Sequence, residues 1–297
     1  MLKLTEQQRR LAGRLSHVAN PWVSAVGALI RNGGFELSGH LAFMAFLALF
    51  PFLIFLAALF GILGDQQTAQ TLVNFLFRFA PQDVAETLSG PIFEVMLAHH
   101  EDLLTIGILG TLWAASSWFE AVRLALNTAY AIEEPRPLWK RRLQSLLFVV
   151  ASAVILLLAS GSIVLGPLAW QFVERVVPLG TGIGILWDVG RYIVGGLLFG
   201  AFLMVLHQYL PPRRLPWRTL APGVMVTLLF WLAVSTGLSI YLALAGSYDS
   251  TYGTLGGVVI TLLFFYSAAL VFIFGAELNA AYRKREAKKR EAAAASA

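Results

Sequence analysis

Six long apolar stretches, Gly39–Leu63, Leu103–Tyr130, Leu143–Gln171, Ile185–Leu210, Thr219–Ala245 and Thr254–Tyr282, alternate with short polar connections. Each meets or exceeds the roughly 20 residues a helix needs to cross a hydrocarbon core. Lipid offers no partner to an open backbone amide or carbonyl, so helices are the form such stretches must take. The expected fold class is all-α: a polytopic membrane protein with six transmembrane helices, plus amphipathic helices at the N-terminus and in the periplasmic connection. A chain that is 58% hydrophobic and 13% charged has room for one membrane domain and none for a separate soluble catalytic domain.

The basic residues alternate with the spans. Lys3, Arg9, Arg10, Arg14 and Arg31 precede the first; Arg136, Lys140, Arg141 and Arg142 lie in the second connection; Arg213, Arg214 and Arg218 lie in the fourth. Arg283, Lys284, Arg285, Lys288, Lys289 and Arg290 follow the last span, whereas the other set of connections holds only Arg78 and Arg175. Positive-inside bias of this kind predicts a multi-pass protein with both termini in the cytoplasm. The net charge of +5 and pI near 9.6 are explained by these flanking positions, where orientation and anionic headgroups account for them, so nucleic acid is not an expected partner. The absence of cysteine removes disulfide and thiolate chemistry.

Three regions follow: cytoplasmic amphipathic helices over 1–38, a six-helix membrane domain over 39–282, and a basic, frayed tail over 283–297. The first residues are polar and the apolar run starts only near Gly39, so no cleavable signal is expected. Leu4, Leu11, Leu15 and Val18 share a helical face beside Arg9, Arg10 and Arg14, the pattern of a helix lying on the inner leaflet. Asn20-Pro21 supplies a cap and a first-turn proline for a second short helix bearing Trp22, Val26, Leu29 and Ile30, and Gly33-Gly34 ends it. The outer connection 64–102 carries six acids against one Arg, with Leu72, Phe75, Leu76 and Phe79 at helical spacing, which predicts short surface helices. GTGIG at Gly180–Gly184 lacks the GxGxxG spacing of a dinucleotide loop and is expected to be a flexible turn.

The second span holds the polar side chains of most interest. Ser116, Ser117, Glu120, Arg123, Asn127 and Tyr130 recur three or four apart and share one helical face. A charge near the bilayer centre costs at least ~2.5–3.5 kcal/mol on insertion scales, so this stripe should face protein or a hydrated cavity. Two readings stand: a structural ion pair between Glu120 and Arg123, or the polar lining of a substrate path. Glu277, near the inner end of the last span, can reach the interface, pair with Arg283 or Arg285, or join the stripe. Asp188 and Arg191 form a second i, i+3 pair on the outer side. His207 is expected to be an interfacial side chain. His99, His100, Glu101 and Asp102 are adjacent, so on a helix they splay apart, and a polar collar is expected there, not a metal site. Gly196 and Gly200 give GxxxG in the fourth span, and Gly161, Gly166 and Pro167 interrupt the third. No Walker motif, HExxH, nucleophile elbow or two-metal carboxylate cluster occurs, so no catalytic residues, metal or cofactor are expected.

Several segments carry a resemblance. LAFMAFLALFPFLIF at 41–55, W-x4-W-F-E at 113–120, LNTAYAIEEPRPLWKRRL at 126–143, LHQYLPPRRLPWRTLAPG at 206–223 and YGTLGGVVITLLFFYSAALVFIFGAELNA at 252–280 resemble the YihY/BrkB family of bacterial inner-membrane proteins. Matching positions include Pro51, Asn127, Tyr130, Pro135, Pro211, Trp217, Pro222, Gly223, Tyr252, Gly253, Gly275 and Glu277. Phe264-Phe265 stands where the family suggests a tryptophan, and Glu36–His40 departs from an Ala-rich start. The resemblance implies location in the inner (plasma) membrane. It also implies a link to envelope lipid or glycolipid traffic, to which some members are tied; the family's older name, ribonuclease BN, is regarded as misassigned.

The leading expectation is thus a transporter or flippase-like handler of anionic envelope lipids, not an enzyme. Membrane lipids are the main expected partners, followed by an envelope protein and, for a homo-oligomer, a second copy of the chain. A proton- or ion-coupled small-solute transporter using Glu120, Glu277 and Asp188 is the second expectation, and a non-transporting envelope scaffold the third. A ribonuclease comes last.

Overall fold

The computed structural model describes residues 20–63, 101–176, 181–244 and 254–295. A short helix, α1 (Pro21–Arg31), precedes six long ones: α2 (Gly34–Leu63), α3 (Glu101–Tyr130), α4 (Leu138–Val176), α5 (Thr181–Tyr209), α6 (Trp217–Leu244) and α7 (Thr254–Ala295). No strand occurs among the described residues. Residues 1–19, which carry the first expected helix, most of the outer connection 64–102 and residues 245–253 lie outside them.

The six long helices match the six expected spans, with shifted ends. At ~1.5 Å per residue, the shortest, the 28 residues of α6, reaches about 42 Å, ample for a bilayer. Four of them, α2, α5, α6 and α7, contain described stretches long and apolar enough to cross a membrane. α4 begins at Leu138, five residues ahead of the expected span, just after Pro137. Its first two turns therefore carry Arg141, Arg142 and Ser145, which changes the account of the site below. Within the GTGIG segment, Thr181–Gly184 form no turn, since α5 already starts at Thr181. A helical Gly costs only ~1 kcal/mol, too little to open a backbone that lipid forces to bond internally. α4 likewise runs unbroken through Gly161 and Gly166, and α7 continues to Ala295.

The short helix forms as its caps dictate. Asn20 Oδ1 accepts from the Trp22 amide at 3.1 Å, Pro21 occupies the first turn, and Gly33 turns the chain at φ +68°, where a glycine avoids the Cβ penalty. A Cβ on Gly34 would strike the Leu29 side chain, so both glycines of the pair are needed. α3 ends with Ala131 at φ 52° and a bond from the Ile132 amide to the Asn127 carbonyl at 2.9 Å.

α2 packs along α3 and α7, α7 also packs along α6 and carries α1, and α4 pairs with α3 and α5. Burial is inverted relative to a soluble protein. Leu143, Leu147, Val150, Val154 and Leu158 along α4, and Tyr192, Ile193 and Leu197 on α5, are exposed, while Ser38, Arg123, Asn127, Ser145, His207, Thr227, Glu277 and Asn279 are buried. That distribution suits a surface solvated by acyl chains, where small and polar residues hold helices together.

The tightest helix crossing joins α6 and α7. A Cβ on Gly223 would land on the Gly275 carbonyl oxygen and the Asn279 side chain, and a Cβ on Gly275 would land on the Thr227 hydroxyl. Pro222 sits inside α6, where its ring disturbs the local ladder. The Asn279 Oδ1 accepts from the Gly223 amide at 2.7 Å, and Thr227 Oγ1 donates to the Gly223 carbonyl at 2.9 Å. The neighbouring helix thus supplies a bond at the site of the proline. The expected GxxxG behaves differently: Gly200 would meet Leu228, but a Cβ on Gly196 would meet open space. A Gly223→Ala variant is expected to lose about 1–3 kcal/mol of stability, read as a lower thermal midpoint in detergent, while Gly196→Ala leaves it unchanged.

Candidate functional site

The polar stripe of α3 meets the N-terminal turns of α4. Arg123 is 1% exposed, pairs with Glu120 one turn away and donates to Ser145 Oγ at 3.1 Å. It also donates to the Gln144 side chain and the Arg141 carbonyl, both at 3.3 Å, and to the Leu210 carbonyl at 3.4 Å. Glu120 accepts in turn from Arg141 at 2.6 and 3.0 Å and from Ser145 at 2.8 Å. Below this pair the 131–137 loop folds back. Glu134 accepts from Asn127 at 3.1 Å and from Arg136 at 2.7 and 2.8 Å, and Arg136 also donates to the Leu210 carbonyl at 2.7 Å. Partial burial opposes ionisation of Glu134, but the Arg136 and Asn127 bonds prevail and hold its carboxyl at about 2.

A second polar chain crosses the bundle. The Tyr130 hydroxyl lies 2.6 Å from His207 Nδ1 and 3.5 Å from Asn279 Nδ2, and Arg283 donates to the Tyr130 carbonyl at 3.2 Å. His207 is fully buried, which corrects its expected place at the interface: the Tyr130 hydroxyl gives it a partner inside the bundle. Glu277 joins neither group. It is 2% exposed and accepts from Asn32 Nδ2 at 2.7 Å, tying the turn after α1 to α7.

Ser116 and Ser117 complete the stripe and stand apart from the ion pair. Both hydroxyls take a hydrogen bond from Arg142 Nη1, at 2.9 and 3.1 Å, and the guanidinium lies 4.6 Å from the centre of the Trp113 ring. Arg142 has no carboxylate within ion-pair distance among the described residues, and its Nε and Nη2 carry no described hydrogen bond. One turn beyond Ser116, on the side away from the Glu120–Arg123 pair, a cavity of about 520 Å³ opens between α3, α4 and α5. Leu112, Ala115, Val149, Ile155, Phe199 and Phe202 line it, and its edge residues Val150 and Val154 are 58% and 50% exposed. A smaller cavity of about 150 Å³ sits in the bundle centre.

The structure therefore divides the sequence-predicted residues. Ser116 and Ser117 are held by Arg142, Glu120, Arg123 and Asn127 are tied into a polar knot, and Tyr130 belongs to the His207 chain. Of the outer pair, Arg191 lies over the Tyr192 ring at 5.1 Å; the Asp188 side chain, like His99 and His100, is outside the described residues. The partners that sequence reasoning missed are Glu134, Arg136, Arg141, Arg142, Gln144 and Ser145. Arg141 and Ser145 at i, i+4 were the available signal, but the expected start of the third span at Leu143 divides them between a basic connection and a membrane helix.

Removing one partner of a buried ion pair leaves an uncompensated charge, at about 3–5 kcal/mol. Glu120→Gln alone, which strips the buried Arg123 of its direct carboxylate, is expected to abolish recovery of folded protein from detergent. The double variant Glu120→Gln, Arg123→Met is expected to regain part of it, as read by monodispersity on size exclusion.

A family model described as virulence factor BrkB matches residues 25–297. The Bacillus subtilis (strain 168) protein named ribonuclease-like YfkH is 28% identical over 253 residues, covering 85% of this chain and 91% of that protein. A UPF0761 membrane protein of Rhodospirillum centenum is 28% identical over 94% of this chain, which spans 61% of that longer relative. Another, of Tolumonas auensis, is 26% identical over 82% of this chain and 79% of its own length. No solved structure matches.

Proposed function

This chain belongs to the virulence factor BrkB family of bacterial membrane proteins, and from that premise we propose that it binds anionic phospholipids and moves or presents their headgroups across the inner membrane. The observation that supports this reading is Arg142, bonded to Ser116, the residue after the groove-lining Ala115. Arg123, Arg136 and Arg141 each have a carboxylate; Arg142 has two hydroxyls and an indole face, with two donor nitrogens left over. An anionic headgroup docked there gains charge-assisted hydrogen bonds worth ~1.5–3 kcal/mol each. Its acyl chains stay in contact with apolar side chains of α4 and α5. One-sided polarity of this kind fits an amphipathic substrate better than a fully hydrophilic solute, which needs polar groups all round.

The role of the stripe is thereby narrowed. Glu120 and Arg123 fix the angle between α3 and α4, and so the place of Arg142, without themselves receiving the lipid. No step in this reading makes or breaks a covalent bond.

In liposomes containing phosphatidylglycerol, the purified protein is expected to speed exchange of a headgroup-labelled lipid between leaflets. Arg142→Ala should slow that exchange about tenfold or more, the counterpart of one lost charge-assisted bond, in protein that still elutes as a folded, monodisperse species. Rates equal to those of empty liposomes would refute the proposal. We further propose that both termini lie in the cytoplasm, on the strength of the alternating basic clusters. In a chain without cysteine, Ala287→Cys is expected to react with an impermeant maleimide in inverted inner-membrane vesicles and not in intact cells.

A further inference from the structure

The central cavity lies among α2, α3, α5, α6 and α7, walled by Leu41, Trp118, Leu206, Thr227, Trp231 and Phe272. Two of its lining residues, Phe199 and Phe202, also line the membrane-facing groove, so the two spaces share an aromatic wall on α5. We infer that the central cavity takes the terminal part of a lipid acyl chain whose remainder lies in the groove, with Phe199 and Phe202 as the movable partition. The inference rests on the lipid-binding reading above and adds to it a site for the tail.

Size and chemistry both favour an apolar guest. A dry apolar cavity near 150 Å³ accommodates benzene or xenon in a soluble protein, hence a few methylene carbons here. Water would need two to four polar partners. The one hydroxyl in the lining, on Thr227, already donates to the Gly223 carbonyl at 2.9 Å, within the tight α6–α7 crossing.

The guest's source follows from where the groove opens. Its exposed edge at Val150 and Val154 continues into an apolar α4 face with Leu147 and Leu158, which the membrane covers. A molecule entering there comes from the bilayer, and the abundant apolar chains of a bilayer are acyl tails. Arg142 and the two serines lie beyond the Ala115 end of the groove, so a lipid held by its headgroup there has its chain directed away from them, towards Phe199 and Phe202. Aromatic side chains suit a partition of this sort, since χ rotation displaces a flat ring without breaking a hydrogen bond.

The test uses the full chain in phosphatidylglycerol vesicles doped with two photoreactive analogues, one with a diazirine at the acyl terminus and one with it near the carbonyl. Leu41 and Leu206 are 2% and 1% exposed, so bulk lipid does not reach them and label there must come from the cavity. The terminal probe is expected on Leu41 or Leu206, and the carbonyl-proximal probe on Val149–Ile155. Ala269 also lines the cavity, and Ala269→Leu should abolish the label on the buried leucines while sparing that on α4. If that variant does not fold, Phe199→Ala, which thins the partition, should raise the buried label. Terminal label confined to α4, or buried label indifferent to both variants, would overturn the tail site and leave the groove reading intact. Probes that label neither α4 nor the cavity would overturn the groove reading itself.

Discussion

A guanidinium with almost no solvent exposure, inside a bundle that lipid surrounds, sets terms that the rest of the structure meets. Arg123 does not shed its proton at accessible pH, so its charge must be answered where it lies. Glu120 answers it directly. The Ser145 hydroxyl, the Gln144 side chain and two backbone carbonyls take further N–H groups, from α4 and from the end of α5. Three helices and the 131–137 loop are thereby fixed at one end of the molecule, because any rearrangement would leave a buried charge exposed to hydrocarbon.

That rigidity has a spatial consequence. The charges concentrate at one end of the α3–α4 contact, and the contact immediately beyond is free to be apolar and loosely filled. There the groove forms, with Phe199 and Phe202 at its back. Arg142 stands at the junction, one position along α4 from Arg141, which Glu120 holds. The knot consequently decides where Arg142 sits, although it takes no part in what Arg142 can bind. On the far side of the bundle, the glycine crossing of α6 and α7 and the bond from Asn32 to Glu277 play the corresponding role for the helices that enclose the central cavity.

The stripe of α3 was legible because helical periodicity is a local property: Ser116 through Tyr130 must share a face once a helix forms. Its two candidate roles were not separable on that basis. Periodicity says nothing about which residues of another helix stand opposite, and the partners of Arg123 lie up to 87 positions away. His207 was misjudged for the same reason, since only the approach of α3 supplies its Tyr130 partner. The α6–α7 crossing was not legible from spacing because neither Gly223 nor Gly275 has a second glycine four residues away, whereas the paired spacing of Gly196 and Gly200 points to a less crowded surface.

What the chain's order of residues determined was the class of solvent and the number of helices. Long apolar runs and alternating basic clusters act through transfer free energies, which depend on composition over about 20 residues and need no knowledge of neighbours. Three-dimensional packing alone decided which of the polar residues neutralise one another and which remain available. Charge compensation in a low dielectric is a pairwise matter of a few ångströms, and those ångströms are set between helices, not along them.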